Sequence, residues 1–320
     1  MRKPVDLGHD ISLIDVFDLK TPNRTGTYVL HEKELTIIET SASPSIPYLL
    51  NGLESLGITL ADIQYMIVTH IHLDHAGGAG LLLEKCPNAR VIVHPKGKRH
   101  LADPSKLIQG AKAVYGEKFA ELFEPIVPIP EDRLVTMEDG DTLALSNERT
   151  LTFFDTPGHA NHHFSIYDSK SNGIFTGDTI GVYYPQLLAY GVELYLPSTS
   201  PSQFNQEAML HSAKRLEELN PSRIYFGHFG MSEHPATVFQ QLREWLPKMV
   251  EVGERVMKEQ PFLSFEDKTK AVADGFMKLV QPYLEARGVP REESVYELLR
   301  LDLSVCAMGM VDYFQKQEEK

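Results

Sequence analysis

Cysteine is almost missing from this chain, whose 320 residues include only Cys86 and Cys306. The two lie far apart in sequence and outside every cluster of chemically active side chains, so they predict neither a disulfide framework nor a thiolate metal site. No apolar run reaches the length of a membrane span, and Asp6 and Asp10 interrupt the segment in which a signal peptide would need apolar residues. These absences lead us to expect a soluble protein of the reducing cytoplasm, with no membrane partner.

Positive charge is also scarce. Lys and Arg together number 31 against 44 Asp and Glu, a formal net charge of −13, and no basic patch interleaved with aromatic residues offsets it. A nucleic-acid partner is therefore not expected. Internal repeats, low-complexity tracts and Gly-rich phosphate loops are absent from the sequence. The hydrophobic content of 42% is enough for a full core, which predicts one main domain with an appendage.

Histidine and aspartate are concentrated in one short segment. His70, His72, Asp74 and His75 directly follow the apolar run at residues 63–68. Burying so many polar side chains at a strand end is costly unless a cation compensates them, and a divalent metal is the usual partner. If the strand persists, His70 and His72 project from one face while the other two turn toward a second position. One segment can then serve two metals; the alternative is a polar loop whose side chains are satisfied by hydrogen bonds.

Three later segments repeat one arrangement, an apolar strand followed by a turn with a metal-ligand residue. His159 follows the strand-like run at residues 151–154, and Asp178 and His228 follow similar runs. Each of them alone is also compatible with an ordinary hydrogen-bonded loop residue. Together with the first cluster they predict the remainder of a metal site, in which the Asp178 carboxylate could bridge two cations.

This pattern resembles the metallo-β-lactamase superfamily of dinuclear metallohydrolases. The resemblance implies three ligands for each metal and one carboxylate bridge: His70, His72 and His159 for the first metal, Asp74, His75 and His228 for the second, and Asp178 between them. It also implies a four-layered αβ/βα sandwich. The strand and helix patterns alone predict only a mixed α/β class. We expect a catalytic domain at residues 1–245 and a C-terminal helical extension at 246–320.

The residue at position 178 indicates which branch of the superfamily the sequence resembles. Asp178 stands where enzymes that hydrolyse lactam antibiotics commonly carry Cys, so the resemblance favours the branch that includes glyoxalase II, acyl-homoserine lactonases and related esterases. After His228 the sequence lacks the Lys/Arg cluster that a glutathione carboxylate would require. A lactonase or esterase is therefore favoured over glyoxalase II itself.

The expected reaction is hydrolysis of a lactone, carboxylic ester or thioester by a hydroxide that bridges two metals. Even a single zinc lowers the pKa of bound water to about 7. Asp74 is predicted to take or relay a proton, and Tyr183 or Tyr184 to donate a hydrogen bond to the substrate, although both tyrosines are equally compatible with packing. Zinc suits the imidazole-rich ligand set, while iron, manganese and cobalt are also compatible with it.

The segment from Tyr183 to Pro201 is rich in Tyr, Leu and Pro, which predicts an apolar pocket wall and a partly apolar small-molecule substrate. Two alternative functions stay open. One is a phosphodiester-cleaving hydrolase of the same fold. The other is a metal-binding regulatory or interaction protein with weak hydrolase activity, because the chain resembles in architecture a quinolone-signalling regulator of the superfamily.

Three further histidines are ambiguous from sequence. His162 and His163 follow His159 closely, and either could contact a metal ligand or the substrate, or simply belong to the core or surface. His94 ends a predicted strand at residues 90–95, where capping is favoured over a place in the site.

The last 75 residues read as three helices, at about residues 234–259, 267–287 and 291–315. The third is apolar almost all round, so it must be buried against the catalytic domain or a second subunit. We hypothesise that residues 264–315 cover the pocket rim and supply part of a homodimer interface. The alternative is an appendage that only completes the core.

Overall fold

The computed structural model describes residues 3–318, and these form two compact units. The first comprises the chain as far as Asp155 together with His162–Gly177 and Asn220–Pro235, and the second comprises Thr156–Asn161, Asp178–Leu219 and the chain from Ala236 onward. Both units are therefore discontinuous in sequence. The domain boundary expected near residue 245 falls inside a helix, Pro235–Glu259.

The strands, in chain order, are β1 (Val5–Asp6), β2 (Ile11–Asp15), β3 (Gly26–Leu30), β4 (Thr36–Ile38), β5 (Tyr65–Ile67), β6 (Arg90–Val93), β7 (Leu134–Thr136), β8 (Thr142–Ala144), β9 (Thr150–Asp155), β10 (Phe164–Asp168), β11 (Gly173–Phe175), β12 (Val182–Tyr183), β13 (Tyr195–Leu196), β14 (Arg223–Tyr225) and β15 (Met231–Ser232). The α-helices are α1 (Ile46–Ser55), α2 (Leu73–Ala76), α3 (Ala79–Leu83), α4 (Pro95–Ala102), α5 (Ser105–Tyr115), α6 (Phe119–Phe123), α7 (Gln206–Glu217), α8 (Pro235–Glu259), α9 (Phe265–Glu285) and α10 (Val295–Glu318).

The first unit contains two sheets. In the seven-stranded sheet, β1 to β7 lie side by side in chain order. The pairs from β1 to β4 are antiparallel and those from β4 to β7 are parallel. The central strands are short apolar runs, as expected of parallel strands buried on both faces. The six-stranded sheet has the order β15-β14-β11-β10-β9-β8, and its one parallel pair is β11 with β14.

The two sheets enclose a core of apolar side chains from both. Ile67 and Ile92 from the first sheet pack in one cluster with Phe153, Phe164 and Phe175 from the second. A separate cluster on the opposite face of the first sheet packs that sheet against helices α1, α3 and α4. The sandwich fixes the strand ends, and the ligand-type residues follow those ends.

The second unit is mostly helical. Besides the short hairpin of β12 and β13 it contains α7, α8, α9 and α10. Helix α9 begins at a capping arrangement in which the Ser264 hydroxyl accepts a hydrogen bond from the Asp267 backbone N–H. The almost wholly apolar α10 is explained by burial within the chain, with Leu299, Leu303 and Met310 fully covered.

Several predicted elements are confirmed. The sequence pattern predicts a strand from Gly26 to Leu30, and β3 has these bounds. The three C-terminal helices begin and end within a few residues of prediction. The strand predicted from Ile11 to Leu19 is shorter, because Phe17 and Leu19 adopt left-handed backbone conformations that end it. No helix within residues 3–318 is long and apolar enough to cross a membrane.

Candidate metal centre

The first ligand-type segment lies at the carboxyl end of a parallel strand. Strand β5 ends at Ile67, so His70 lies in a loop, His72 precedes helix α2, and Asp74 and His75 lie within that helix. The strand does not continue through His70 and His72, so these two residues do not share a strand face. The loop and the first turn of α2 present these side chains instead.

The imidazoles of this segment pack against one another. The ring centroid of His70 lies 4.6 Å from that of His72 and 4.2 Å from that of His75. His70 and His75 have no solvent-exposed surface, and His228 is also buried. The ring centroid of His228 lies 5.2 Å from that of His75. A buried group of imidazoles is the polar arrangement expected where a cation compensates desolvation.

One subset within the first unit has the spacing of a metal site. The Asp74 Oδ2 atom lies 3.8 Å from His75 Nε2 and 3.6 Å from His228 Nε2. One ligand atom from each of the three residues lies within 4.8 Å of the others. Two ligand atoms bound to one tetrahedral zinc would be about 3.4 Å apart, given bonds of about 2.0–2.2 Å. Asp74, His75 and His228 therefore fit a divalent ion in both chemistry and spacing.

The second unit contains the other two predicted ligands. The His159 Nε2 atom lies 3.7 Å from Asp178 Oδ2, and both residues are buried. The other ring nitrogen of His159, Nδ1, donates a hydrogen bond to the Ser198 carbonyl oxygen at 2.9 Å. Such a bond fixes the tautomer and leaves Nε2 as the ligand atom, which is the usual arrangement around a metal-binding histidine.

Glu39 is a functional residue that sequence reasoning missed. Its carboxylate accepts hydrogen bonds from the backbone N–H and the hydroxyl of Thr69, and its Oε2 atom lies 3.4 Å from His75 Nδ1. The Thr69 hydroxyl lies 3.1 Å from His70 Nδ1. Glu39 is thus linked to one predicted ligand, His70, through Thr69, and its carboxylate lies beside the ring of a second, His75. The available signal was its place after β4, next to β5.

The backbone around Glu39 also holds helix α2. Both the N–H and the hydroxyl of Thr40 donate to the carbonyl oxygen of His75, each at 3.0 Å. Glu39 itself has a φ of 68°, a conformation that costs energy in a residue other than glycine. His75 is therefore held at its carbonyl by Thr40, and its ring lies beside the Glu39 carboxylate.

Glycines precede two of the predicted ligands because neighbouring side chains approach closely. A Cβ atom at Gly227 would lie 2.6 Å from His75 Cε1. One at Gly177, whose φ is +46°, would lie 2.4 Å from the Thr69 hydroxyl oxygen and 2.5 Å from His163 Nε2. Neither position has room for a side chain.

The turn that carries His228 is fastened to the first sheet. The hydroxyl of Tyr28, in β3, lies 2.7 Å from the carbonyl oxygens of both Phe226 and Gly230. The Phe226 N–H donates to the Gly230 carbonyl at 3.0 Å and closes the turn. Burial raises the pKa of Tyr28 well above its usual value, so the phenol remains a donor.

A second buried acid lies near this turn. Asp18 is paired with Arg24, whose Nε atom is 3.0 Å from the carboxylate. Burial raises the pKa of Asp18, with a smaller contribution in the same direction from Asp74, while Arg24 opposes both. The loop between β2 and β3 therefore adds charged groups whose field reaches Asp74 and His228.

The ambiguous histidines are now located. His162 and His163 are both buried, and their ring centroids lie 6.4 Å and 5.0 Å from that of His70. They thus pack around a predicted ligand. His94 caps helix α4 by accepting a hydrogen bond from the Lys96 N–H, which confirms the capping role, and its Nε2 atom lies 3.1 Å from Asp155 Oδ1.

The two tyrosines considered for catalysis differ in their contacts. The Tyr183 ring stacks on Tyr195 with centroids 5.1 Å apart, and burial raises the pKa of Tyr183 to about 12. The Tyr184 hydroxyl donates to Asp302 Oδ2 at 3.1 Å. The Tyr183 phenol therefore stays protonated near neutral pH, the Tyr184 hydroxyl is engaged with Asp302, and the catalytic roles of both stay predictions.

Neither cysteine is suited to nucleophilic chemistry. Both are buried, and burial raises the pKa of the thiol to about 11 for Cys86 and about 12 for Cys306. A thiol with so high a pKa supplies almost no thiolate at neutral pH. The chemistry of the described chain therefore rests on its histidines and carboxylates.

Comparison with known families agrees with this donor set. The family model described as the metallo-β-lactamase superfamily matches residues 22–228, more than half of the chain. The chain belongs to the metallo-β-lactamase superfamily. The matched range ends at His228 and includes each of the seven predicted metal ligands.

One archaeal member of the superfamily is similar to the chain in both sequence and structure. A metallo-β-lactamase fold-containing protein of Sulfurisphaera tokodaii is 28% identical over 192 residues, which cover 59% of this chain and 69% of that protein. The crystal structure of this same archaeal protein, ST1585, superposes on the chain with a TM-score of 0.65 at 21% identity, covering 94% of this chain and 97% of the other. The predicted fold class, a mixed α/β metallo-β-lactamase sandwich with a C-terminal helical region, is confirmed.

A second relative bears on which branch of the superfamily the chain resembles. A hydroxyacylglutathione hydrolase of Prochlorococcus marinus is 27% identical over 119 residues, which are 37% of this chain and 36% of that enzyme. This similarity is partial. The superfamily fold together with the His/Asp cluster indicates a metal-dependent hydrolase.

Proposed function

We propose that this protein is a dinuclear-metal hydrolase that cleaves an ester-type bond in a lactone, a carboxylic ester or a thioester. The observation that carries the proposal is the spacing of Asp74, His75 and His228, which fits a divalent cation. The His159–Asp178 pair has the same spacing in its own unit. Membership of the metallo-β-lactamase superfamily supports assigning both groups to one dinuclear centre.

The proposed ligand sets are those implied by the resemblance. They are His70, His72 and His159 for one cation, Asp74, His75 and His228 for the other, and Asp178 shared between them. Zinc suits a set rich in imidazole, while iron, manganese and cobalt are also compatible with it. Bound cations would supply water of lowered pKa and a Lewis acid for the substrate oxygen.

Asp74 has a second proposed role, as a proton acceptor. It is the most exposed of the carboxylates in this group, with 24% of its side chain accessible, and its Oδ2 atom faces the His75 and His228 rings. An accessible carboxylate beside two imidazoles can take a proton from the attacking water and pass it on.

Tyr183 is proposed as the hydrogen-bond donor to the substrate oxygen. Burial raises the pKa of its phenol to about 12, so the phenol keeps its proton near neutral pH and can donate. For Tyr184 we propose a supporting role, since its hydroxyl donates to Asp302.

The proposed substrate is a small, partly apolar molecule. The segment that follows Asp178 is buried and largely apolar, with Leu187, Leu194 and Leu196 all covered. Apolar walls with a few polar groups are typical of sites for small molecules. The partial similarity to a hydroxyacylglutathione hydrolase supports an acyl-type substrate, in this case a thioester.

The experiment is a substrate panel under controlled metal content. Lactones, carboxylic esters, thioesters and phosphodiesters are each incubated with zinc-loaded protein, with chelator-treated protein and with Asp178→Ala. We expect turnover of an ester-type substrate that chelation abolishes and zinc restores. Cleavage of phosphodiesters alone would favour the first alternative function, and no turnover at full metal occupancy would favour a binding or regulatory protein.

A further inference from the structure

One loop of the second unit contacts both of that unit's predicted ligands. We call residues 197–202 the Ser198 loop. Its Ser198 carbonyl accepts from His159 Nδ1, and the Ser198 hydroxyl donates to Asp178 Oδ2 at 3.1 Å. The Ser200 hydroxyl donates to the His159 carbonyl at 2.7 Å. The loop therefore orients the His159 ring, its backbone and the Asp178 carboxylate together.

The Ser198 loop is held in turn by helix α10. The Thr199 hydroxyl donates to the Cys306 carbonyl at 2.7 Å, and the Cys306 thiol lies 3.6 Å from the Pro197 carbonyl. Further along the helix, the Ser202 N–H donates to Asp312 Oδ2 at 2.9 Å. Hydrogen bonds thus join the loop to the helix near both ends of the loop.

Between these bonds the helix and the loop meet backbone to backbone. A Cβ atom on Gly309 would lie 2.6 Å from the Ser200 carbonyl carbon and 2.7 Å from the Thr199 carbonyl oxygen. Both atoms belong to the main chain and cannot rotate away as a flexible side chain can. Only glycine at this position allows α10 to lie so close to the loop.

We propose that α10 is a positioning element for the metal centre, acting through the Ser198 loop on His159 and Asp178. Thr199 and Gly309 are its positioning residues. This goes beyond a lid or an interface, because the helix, which begins only at Val295, sets the orientation of ligands as early in the chain as His159 and Asp178. Partners that orient a ligand typically contribute 10- to 100-fold to metal affinity. The metal-binding part of the inference rests on the proposed function.

The test uses full-length protein and two matched pairs. Thr199→Val removes the hydroxyl at nearly constant volume, whereas Thr199→Ser retains it. In Gly309→Ala the new methyl group would press against the loop backbone. In the control, Gly275→Ala in α9, the new methyl group would lie 2.4 Å from a Val252 methyl group and would perturb only the packing between helices. Three readouts are taken. The first is zinc affinity by competition with a chromophoric chelator, the second is hydrogen exchange of residues 156–161 in metal-free protein, and the third is a cobalt spectrum. The absorption spectrum of the cobalt-loaded protein reports ligand geometry.

We expect Thr199→Val and Gly309→Ala to weaken zinc binding by about 10-fold or more, to change the cobalt spectrum and to speed exchange at residues 156–161. Thr199→Ser and Gly275→Ala should stay near wild type in all three. Equal effects within either pair overturn the proposal, since they would reflect lost stability alone. If the wild type binds no metal, the proposed function fails, and hydrogen exchange in metal-free protein then decides the positioning role.

Discussion

At the scale of single residues, the candidate centre depends on groups that hold the ligands. His75 shows this most directly, because Thr40 binds its carbonyl oxygen and Glu39 lies against its Nδ1 atom. His159 is held in a similar way by the Ser198 carbonyl. The candidate metal ligands could be proposed from their chemistry and spacing. Glu39 and Ser198 could not, because a place after a strand, as Glu39 has after β4, does not say which distant histidine the side chain will contact.

Glu39→Gln tests this supporting role. The amide keeps the shape of the side chain and an oxygen that can accept from Thr69, but it loses the negative charge that faces His75. We expect metal affinity to fall by about 10- to 100-fold, measured by chelator competition. Glu54→Gln, on the exposed face of α1, is the control and should bind metal as the wild type does. Equal affinities for the two variants would show that Glu39 does not orient the ligands.

Asp74→Asn tests the proposed proton acceptor. The change removes a negative charge and a proton-accepting oxygen, so the hydrolysis rate should fall by about 10² or more. The rate is measured on whichever substrate of the panel is turned over, with zinc occupancy determined on the same sample. Wild-type turnover in Asp74→Asn would mean that the residue neither relays protons nor holds the metal as assigned.

At the scale of elements, the site is a set of turns that follow the strands of two sheets. Alternating apolar patterns and turn residues predicted β3 and the β10–β11 hairpin, since both signals are local. The extent of the strand at Ile11 was overestimated, because its end depends on left-handed residues at Phe17 and Leu19. The close approach of Gly227 to His75 depends on the pairing of β11 with β14 and could not be foreseen.

Gly227→Ala tests that close approach. The new methyl group would overlap His75, and overpacking of this kind costs about 1–3 kcal/mol. We expect a lower melting temperature together with weaker zinc binding. Gly110→Ala, in α5, has open space around its Cβ position and should be neutral or stabilising by about 0.5–1 kcal/mol, as for alanine in a helix interior. A Gly227→Ala protein that binds zinc normally would contradict the described packing.

At the scale of the whole molecule, the chain forms two units that do not follow its linear order. Segments 156–161 and 178–219 join the C-terminal helices in one unit, although the last of these helices begins only at Val295. Helix bounds were predictable from periodicity and from breaks at Pro261 and Gly288. The packing of early segments with late helices could not be predicted, because long-range contacts leave no periodic signal in the sequence.

We also propose that the C-terminal helices form a lid and part of a homodimer interface. Ending the chain before Ser264 removes α9 and α10 and uncovers apolar residues of α8 such as Val252 and Val256. We expect aggregation or a monomer, and relaxed selectivity toward bulkier esters if the protein stays soluble. Light scattering should give twice the chain mass for the full-length protein. A soluble truncated protein with unchanged mass and unchanged substrate profile would exclude both the lid and the interface.

The central claim is that the chain binds two divalent cations, and metal stoichiometry tests it most directly. Elemental analysis after equilibrium dialysis against zinc should give close to two ions per chain for the wild type, because seven ligand-type residues exceed what one tetrahedral ion can use. Asp178→Ala should lower occupancy at both positions. A single tightly bound ion in the wild type, with no second site on titration, would contradict the dinuclear centre.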